Sequence, residues 1–197
     1  MQQSTGILDS LDADTLHFFS CAALFRDRFS IDWLVNILGK KASEVLSLLE
    51  DGVQKRWLAR KKGGVFYFIN PKIREELENR VPPHEKEQLH KRIVEVLIKE
   101  TTTSGCETDL LVLSHHIQQI KSDEKLCKLL LESGNICMKS FQLEDALKCY
   151  FKILHDLSGV ETTESDDLFI KAAIQSSKAT TAPQHNCLNI SPFLEEA

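Results

Sequence analysis

Residues Trp57–Glu78 read WLARKKGGVFYFINPKIREELE. Two short runs rich in aromatic and β-branched side chains, Arg56–Arg60 and Val65–Ile69, have the composition of strands. Lys61-Lys62-Gly63-Gly64 joins them, and its glycines supply the positive φ that a tight hairpin requires. Asn70-Pro71 then opens a helix. Asn caps the free backbone N–H groups, and Pro suits the first helical position.

Upstream of this hairpin the pattern is helical. Residues 1–10 are polar, and a first helix spans about Asp12–Phe25 with Leu16, Phe19 and Ala23 on one stripe. Ser30 is placed to cap a second helix, IDWLVNIL, which Gly39 closes. A third helix, about Ser43–Asp51, presents Val45, Leu46, Leu48 and Leu49, and Gly52 stands where a left-handed stop is expected. Three helices followed by a hairpin predict a winged helix over residues 8–82, with the hairpin as the wing.

Pro82-Pro83 breaks the chain and marks the expected domain boundary. Residues 83–178 show only helical periodicity. Leu89, Ile93, Val96 and Leu97 make one stripe; Leu110, Leu113, Ile117 and Ile120 make the next, with a Thr101–Gly105 loop between. Ser122–Lys139 and Gln142–Asp156 form a pair whose short connection forces them antiparallel. Within that pair, Gly134 lets the second helix approach, Ala146 sits at the close crossing, and Tyr150 follows one turn later. This is the packing expected of a tetratricopeptide-like hairpin. A further helix is expected over Ser165–Ser177, and 179–197 read as a flexible tail or an incomplete repeat. The fold class is thus mainly α: a winged helix followed by an array of helical hairpins.

Composition narrows the function. The 197 residues are 42% hydrophobic and carry a net charge of −5. Residues 1–81 hold 12 Lys/Arg against 11 Asp/Glu, and the remainder 12 against 18, so any anion-binding surface belongs in the first part. The six cysteines, at 21, 106, 127, 137, 149 and 187, form no CxxC pair, and a reducing cytoplasm is expected. No basic region followed by an apolar run opens the sequence and no apolar run approaches about 20 residues, so neither a signal peptide nor a membrane span is expected. The sequence holds no GxxxxGK[ST], GxSxG, GxGxxG or HExxH motif, so neither an enzyme nor a cofactor on this chain is expected. His84 and His90 share no helix face, and His115 and His116 point apart, so no metal site is expected either.

Lys55, Arg56, Arg60, Lys61 and Lys62 make a basic wing that could contact an anion or nucleic acid. A DNA-reading winged helix would offer base-reading Arg, Asn or Gln from its third helix. Here that helix offers Ser43, Glu44, Ser47, Glu50 and Asp51, and no Arg. Those carboxylates favour a winged helix that meets protein over one that meets DNA.

Three segments together resemble a known family. SLDADTLHFFSCAALFRDRFSIDWLVNILG (10–39) looks like the start of the winged helix that follows the ATPase core in signal-transducing ATPases with numerous domains, the STAND or NB-ARC-like class that includes the bacterial maltose-type activators. FYFINPKIREEL (66–77) resembles its aromatic strand, nucleotide-sensing His and following helix. HEKEQLHKRIVEVL (84–97) resembles the next helix, with its Leu-His step. The resemblance spans about 8–157 and includes the tetratricopeptide-type hairpin. It implies a regulatory module in which the winged helix is a hinge or nucleotide-state sensor and the repeats bind a protein partner. An ATPase core in a parent protein is the other implied partner. Two departures stand out: the ATPase core is absent from this chain, and Asn70 occupies the sensing His position. Asn70 can hydrogen-bond a phosphate oxygen but carries no charge. The expected function is therefore a non-catalytic regulatory and protein-interaction module; the alternative is a DNA-binding winged-helix regulator.

Overall fold

The computed structural model describes residues 8–104 and 107–181, with side chains from 8–100 and 109–181. These residues are mainly helical, with one small three-stranded sheet. The chain divides into two compact units between Thr103 and Ser104.

The first unit begins with α1 (Ala13–Ala23). Asp12 caps it through its side chain, which accepts from the Thr15 N–H at 2.9 Å. A short strand, β1 (Phe29–Ser30), leads into α2 (Ile31–Leu38), which Ser30 caps and Gly39 ends at φ 65°. Helix α3 (Ala42–Gln54) follows, then β2 (Leu58–Lys61), β3 (Val65–Phe68), α4 (Pro71–Asn79) and α5 (Pro83–Ser104). The sheet order is β1-β3-β2, all antiparallel, with Lys61 paired to Val65 across the turn and Phe29 to Phe66. The core is aromatic. Phe18 meets Phe19 edge-on, Phe19 meets Trp57 edge-on, and Phe25 stacks on Trp33. Such edge and offset contacts are the geometries that the ring quadrupole favours.

Three features of this unit differ from the sequence reading. Strand β1 is only two residues long, too short for any alternation pattern to show. Helix α3 does not stop at Gly52 but continues to Gln54. Gly52 is helical and buried, and a Cβ there would lie 2.9 Å from both Leu58 Cδ1 and Phe19 Cε1. Its smallness lets β2 and α1 approach; the left-handed residue is instead Arg56, at φ 58°. The Thr101–Gly105 segment, expected to be a loop, is helical over Thr101–Ser104. The threonines lower helix propensity without breaking the hydrogen-bond ladder.

Helix α5 belongs to the first unit, so the division falls some twenty residues beyond the Pro82-Pro83 boundary expected from sequence. Side-chain contacts account for this. Lys86 pairs with Glu78 of α4 at 2.8 Å, Trp33 Nε1 donates to Glu100, and Arg92 and Glu85 lie within electrostatic reach of Cys21 on α1. Leu89, Ile93, Val94 and Leu97 are buried. Pro83 therefore starts a helix of the first unit rather than ending that unit.

The second unit consists, in its described residues, of α6 (Glu107–Ile117), α7 (Glu124–Lys139), α8 (Leu143–Leu157) and α9 (Thr163–Thr181). Helices α7, α8 and α9 pack on one another, and α6 packs on α7. Helix α9 extends past both ends of the expected Ser165–Ser177 helix, and the expected tail lies outside the described residues from 182 onward.

Candidate functional site

The five basic residues singled out from sequence lie on the β2–β3 hairpin and the turn that leads into it. Lys55 ends α3, pairs with Asp51 at 2.5 Å and lies over the Trp57 ring at 5.2 Å. Arg56 is exposed. Arg60 lies over Phe66 at 5.8 Å, and Lys61 lies over Tyr67 at 4.9 Å. Lys62 is exposed in the turn, between Lys61 and the positive-φ pair Gly63 and Gly64. In the Lys55, Arg60 and Lys61 contacts the charged group itself lies over the ring face, while the residues stay exposed to water.

The neighbouring α3 turns Ser43, Glu44, Ser47 and Glu50 to solvent. Two of its flanking lysines are engaged by carboxylates of the same helix, Lys40 by Glu44 and Lys55 by Asp51, each at 2.5 Å. The exposed face of helix α3 thus presents hydroxyls and carboxylates, with Lys41 exposed at its N-terminal cap, and the larger cluster of positive charge lies on the hairpin.

Asn70 caps α4. Its Oδ1 accepts from the Lys72 N–H at 3.0 Å, and its backbone carbonyl accepts from Arg74 N. Arg74 in turn donates from Nη1 to the Ala23 carbonyl at 3.2 Å and to Glu78 at 2.8 Å, joining α4 to the end of α1. The side-chain oxygen of Asn70 is therefore used by its own helix.

Gly134, Ala146 and Tyr150 come together in the α7–α8 hairpin. Tyr150 and Ala146 are fully buried, and a Cβ on Gly134 would lie 2.6 Å from Tyr150 Cε1. The Tyr150 hydroxyl donates to Asn135 Oδ1 at 2.9 Å, which satisfies its one polar atom. Burial pushes the Tyr150 phenol well above its ordinary range.

Other features gave little or no signal in the sequence. Asp156 is buried at the end of α8, where it accepts from the Ser122 N–H at 2.9 Å, from Lys152 and from His155. Burial works against its charge, but these three bonds prevail and hold its carboxyl below the ordinary range. Nothing in residues 150–157 marks Asp156, because its partner Ser122 is far away in sequence. Phe141, in the α7–α8 turn, is 86% exposed at φ 58°. Ile170 and Ile174 on α9 are 48% and 50% exposed, and their spacing of four would have marked one helix face.

The described cysteines offer no nucleophile. Cys21, Cys127, Cys137 and Cys149 are free and buried; burial pushes the first, second and fourth up to about 12 and raises Cys137. Such thiols are poor nucleophiles at neutral pH. Among the described residues no group of three His, Cys, Asp or Glu side chains is arranged to hold a metal, and no helix is long and apolar enough to cross a membrane. No protein family, curated protein or solved structure matches this chain.

Proposed function

We propose that this chain is a non-catalytic regulatory and protein-interaction module, with a winged-helix first unit acting as hinge or sensor and a tetratricopeptide-like second unit acting as partner-binding arm. The observation that carries the reading is the exposed face of α3: Ser43, Glu44, Ser47 and Glu50, with Lys40 and Lys55 already paired to carboxylates. A helix of that chemistry repels a phosphate backbone and suits a protein surface. The order of three helices, a β-hairpin and a small sheet supports the winged-helix reading. The Gly134–Tyr150 approach supports the repeat reading, because helical hairpins stack through such close contacts. The exposed Ile170 and Ile174 supply apolar area for a further helix or a partner. The buried free cysteines fit a reducing, cytoplasmic setting.

The basic hairpin is the one observation on the side of DNA, and it sets the test. A labelled DNA duplex is titrated with the protein at about 50 mM and about 200 mM salt. The module reading expects no more than weak association at the lower salt. Tight binding that falls steeply with salt, and is lost when Ser47 and Glu50 on α3 are replaced by bulky residues, would establish the DNA-binding alternative.

A further inference from the structure

From Gly52 to Arg74 the chain carries seven Lys/Arg and no Asp or Glu, in a protein whose net charge is −5. Among the described residues, no carboxylate pairs with Arg56, Arg60, Lys61 or Lys62. Their charge faces water uncompensated, which marks a surface prepared for an anionic partner.

The sheet gives that partner a shape. Strand β2 is an edge strand, since the order is β1-β3-β2. The Ile69 N–H donates to the Trp57 carbonyl at 2.8 Å, and the register pairs Ala59 with Tyr67 and Lys61 with Val65. Backbone groups in an antiparallel ladder alternate in direction, so Arg60, between those bonded positions, turns its N–H and C=O to the open edge. Arg60 and Lys61 send their side chains to opposite faces of the sheet, over Phe66 and Tyr67 respectively. On the side of Lys61, β3 continues into Ile69, which is 52% exposed.

We infer that the β2 edge is a docking site for an extended, acidic peptide segment of a protein partner, in which carboxylates alternate with apolar residues. Main-chain pairing with Arg60 aligns the segment so that its carboxylates fall on the Arg60 face, with Lys62 in the adjoining turn, and its apolar residues fall on the opposite face, the side of Tyr67 and Ile69, where Lys61 adds to the positive field. This is strand addition with electrostatic selection. A nucleic-acid duplex fits less well. Helix α3 ends at the root of the hairpin, where the Gly52 carbonyl accepts from the Trp57 N–H, and brings Glu50, Asp51 and the negative end of its dipole there. A long polyphosphate would meet those charges, whereas a short strand lies along β2 alone.

The test uses the full chain and labelled peptides followed by fluorescence anisotropy. A peptide alternating glutamate and valine should bind, and the affinity should fall with salt. A lysine–valine peptide should not bind, nor should the glutamate–valine peptide methylated on alternate backbone nitrogens. Arg60→Glu with Lys61→Glu and Lys62→Glu should weaken binding about tenfold or more. Lys62→Glu alone, at an exposed turn position where folding is not at stake, should weaken it measurably. Equal binding of the methylated peptide, no effect of either charge reversal, or tighter binding of a DNA duplex than of the acidic peptide would each overturn the inference.

Discussion

His90 sits on α5 with its imidazole almost wholly out of water. Burial, together with the positive charge of Lys86, lowers its pKa from 6.5 to about 4, against a smaller opposing pull from Glu78. In the unfolded chain the ring takes up its proton near pH 6.5; in the folded chain it does so only near 4. Above that window both states are neutral and His90 makes no difference. As the pH falls through it, the unfolded chain gains protons first, and the fold loses stability. The first unit should therefore lose about 2 kcal/mol between pH 7 and pH 5. Urea unfolding at the two pH values measures the loss. His90→Gln, which removes the titration, should erase most of that slope; an unchanged slope would mean that the ring is already protonated in the fold. Glu78 adds to the pH slope only below that window. Burial opposes its charge, but Lys86 and Arg74 prevail, so its carboxyl lies below its ordinary value and its stabilisation is lost as the pH falls through the carboxylate range.

At the scale of elements, the α7–α8 hairpin combines a close fit with a strained turn. Gly134→Ala would place a methyl inside the contact distance of the Tyr150 ring, which is fully buried and held through its hydroxyl by Asn135. Thermal unfolding should show a loss of about 1–3 kcal/mol, as overpacking produces, and Ala146→Trp should cost as much or more. The turn works in the opposite direction. Phe141 holds a left-handed backbone that disfavours any side chain, and at 86% exposure its ring contributes little to the core. Phe141→Gly should raise stability by about 1 kcal/mol. A loss of stability instead would mean that the exposed ring packs on something in solution. How far these elements could be read from the chain follows from the same physics. Helix caps at Ser30 and Asn70, the glycine turn and the Gly134–Tyr150 spacing are local signals, and they lie where the sequence places them. Gly52 was misread because a glycine needed for close approach and a glycine needed for positive φ look alike until the neighbouring Leu58 and Phe19 are seen. The basic hairpin was readable as charge. Its open edge was not, because β1 is too short to reveal on which side of β3 it pairs.

For the whole molecule, the question is where one unit ends. Pro82-Pro83 reads as a boundary because proline interrupts helices, yet proline is also favoured in a first helical turn, and here it opens α5. That helix is tied to the first unit near both ends: Lys86 to Glu78 near its start and Glu100 to Trp33 near its end. Trp33 is itself buried and stacked on Phe25, so the last of these ties reaches the aromatic core. A fragment of residues 1–103 should therefore fold cooperatively, with dispersed amide signals and a single unfolding transition. A fragment ending at Pro82 should not. It loses the buried side chains of Leu89, Ile93, Val94 and Leu97, each worth about 1.5–3 kcal/mol of burial, and leaves Trp33 Nε1 without its acceptor. Together these losses are comparable to the entire stability of a small domain. The comparison is made by circular dichroism and tryptophan emission on the two fragments side by side. Equal stability of the shorter fragment would return the boundary to Pro82-Pro83 and make α5 the first helix of the second unit. Failure of the shorter one alone would make α5 a structural part of the first unit and leave α6 as the first helix of the second unit.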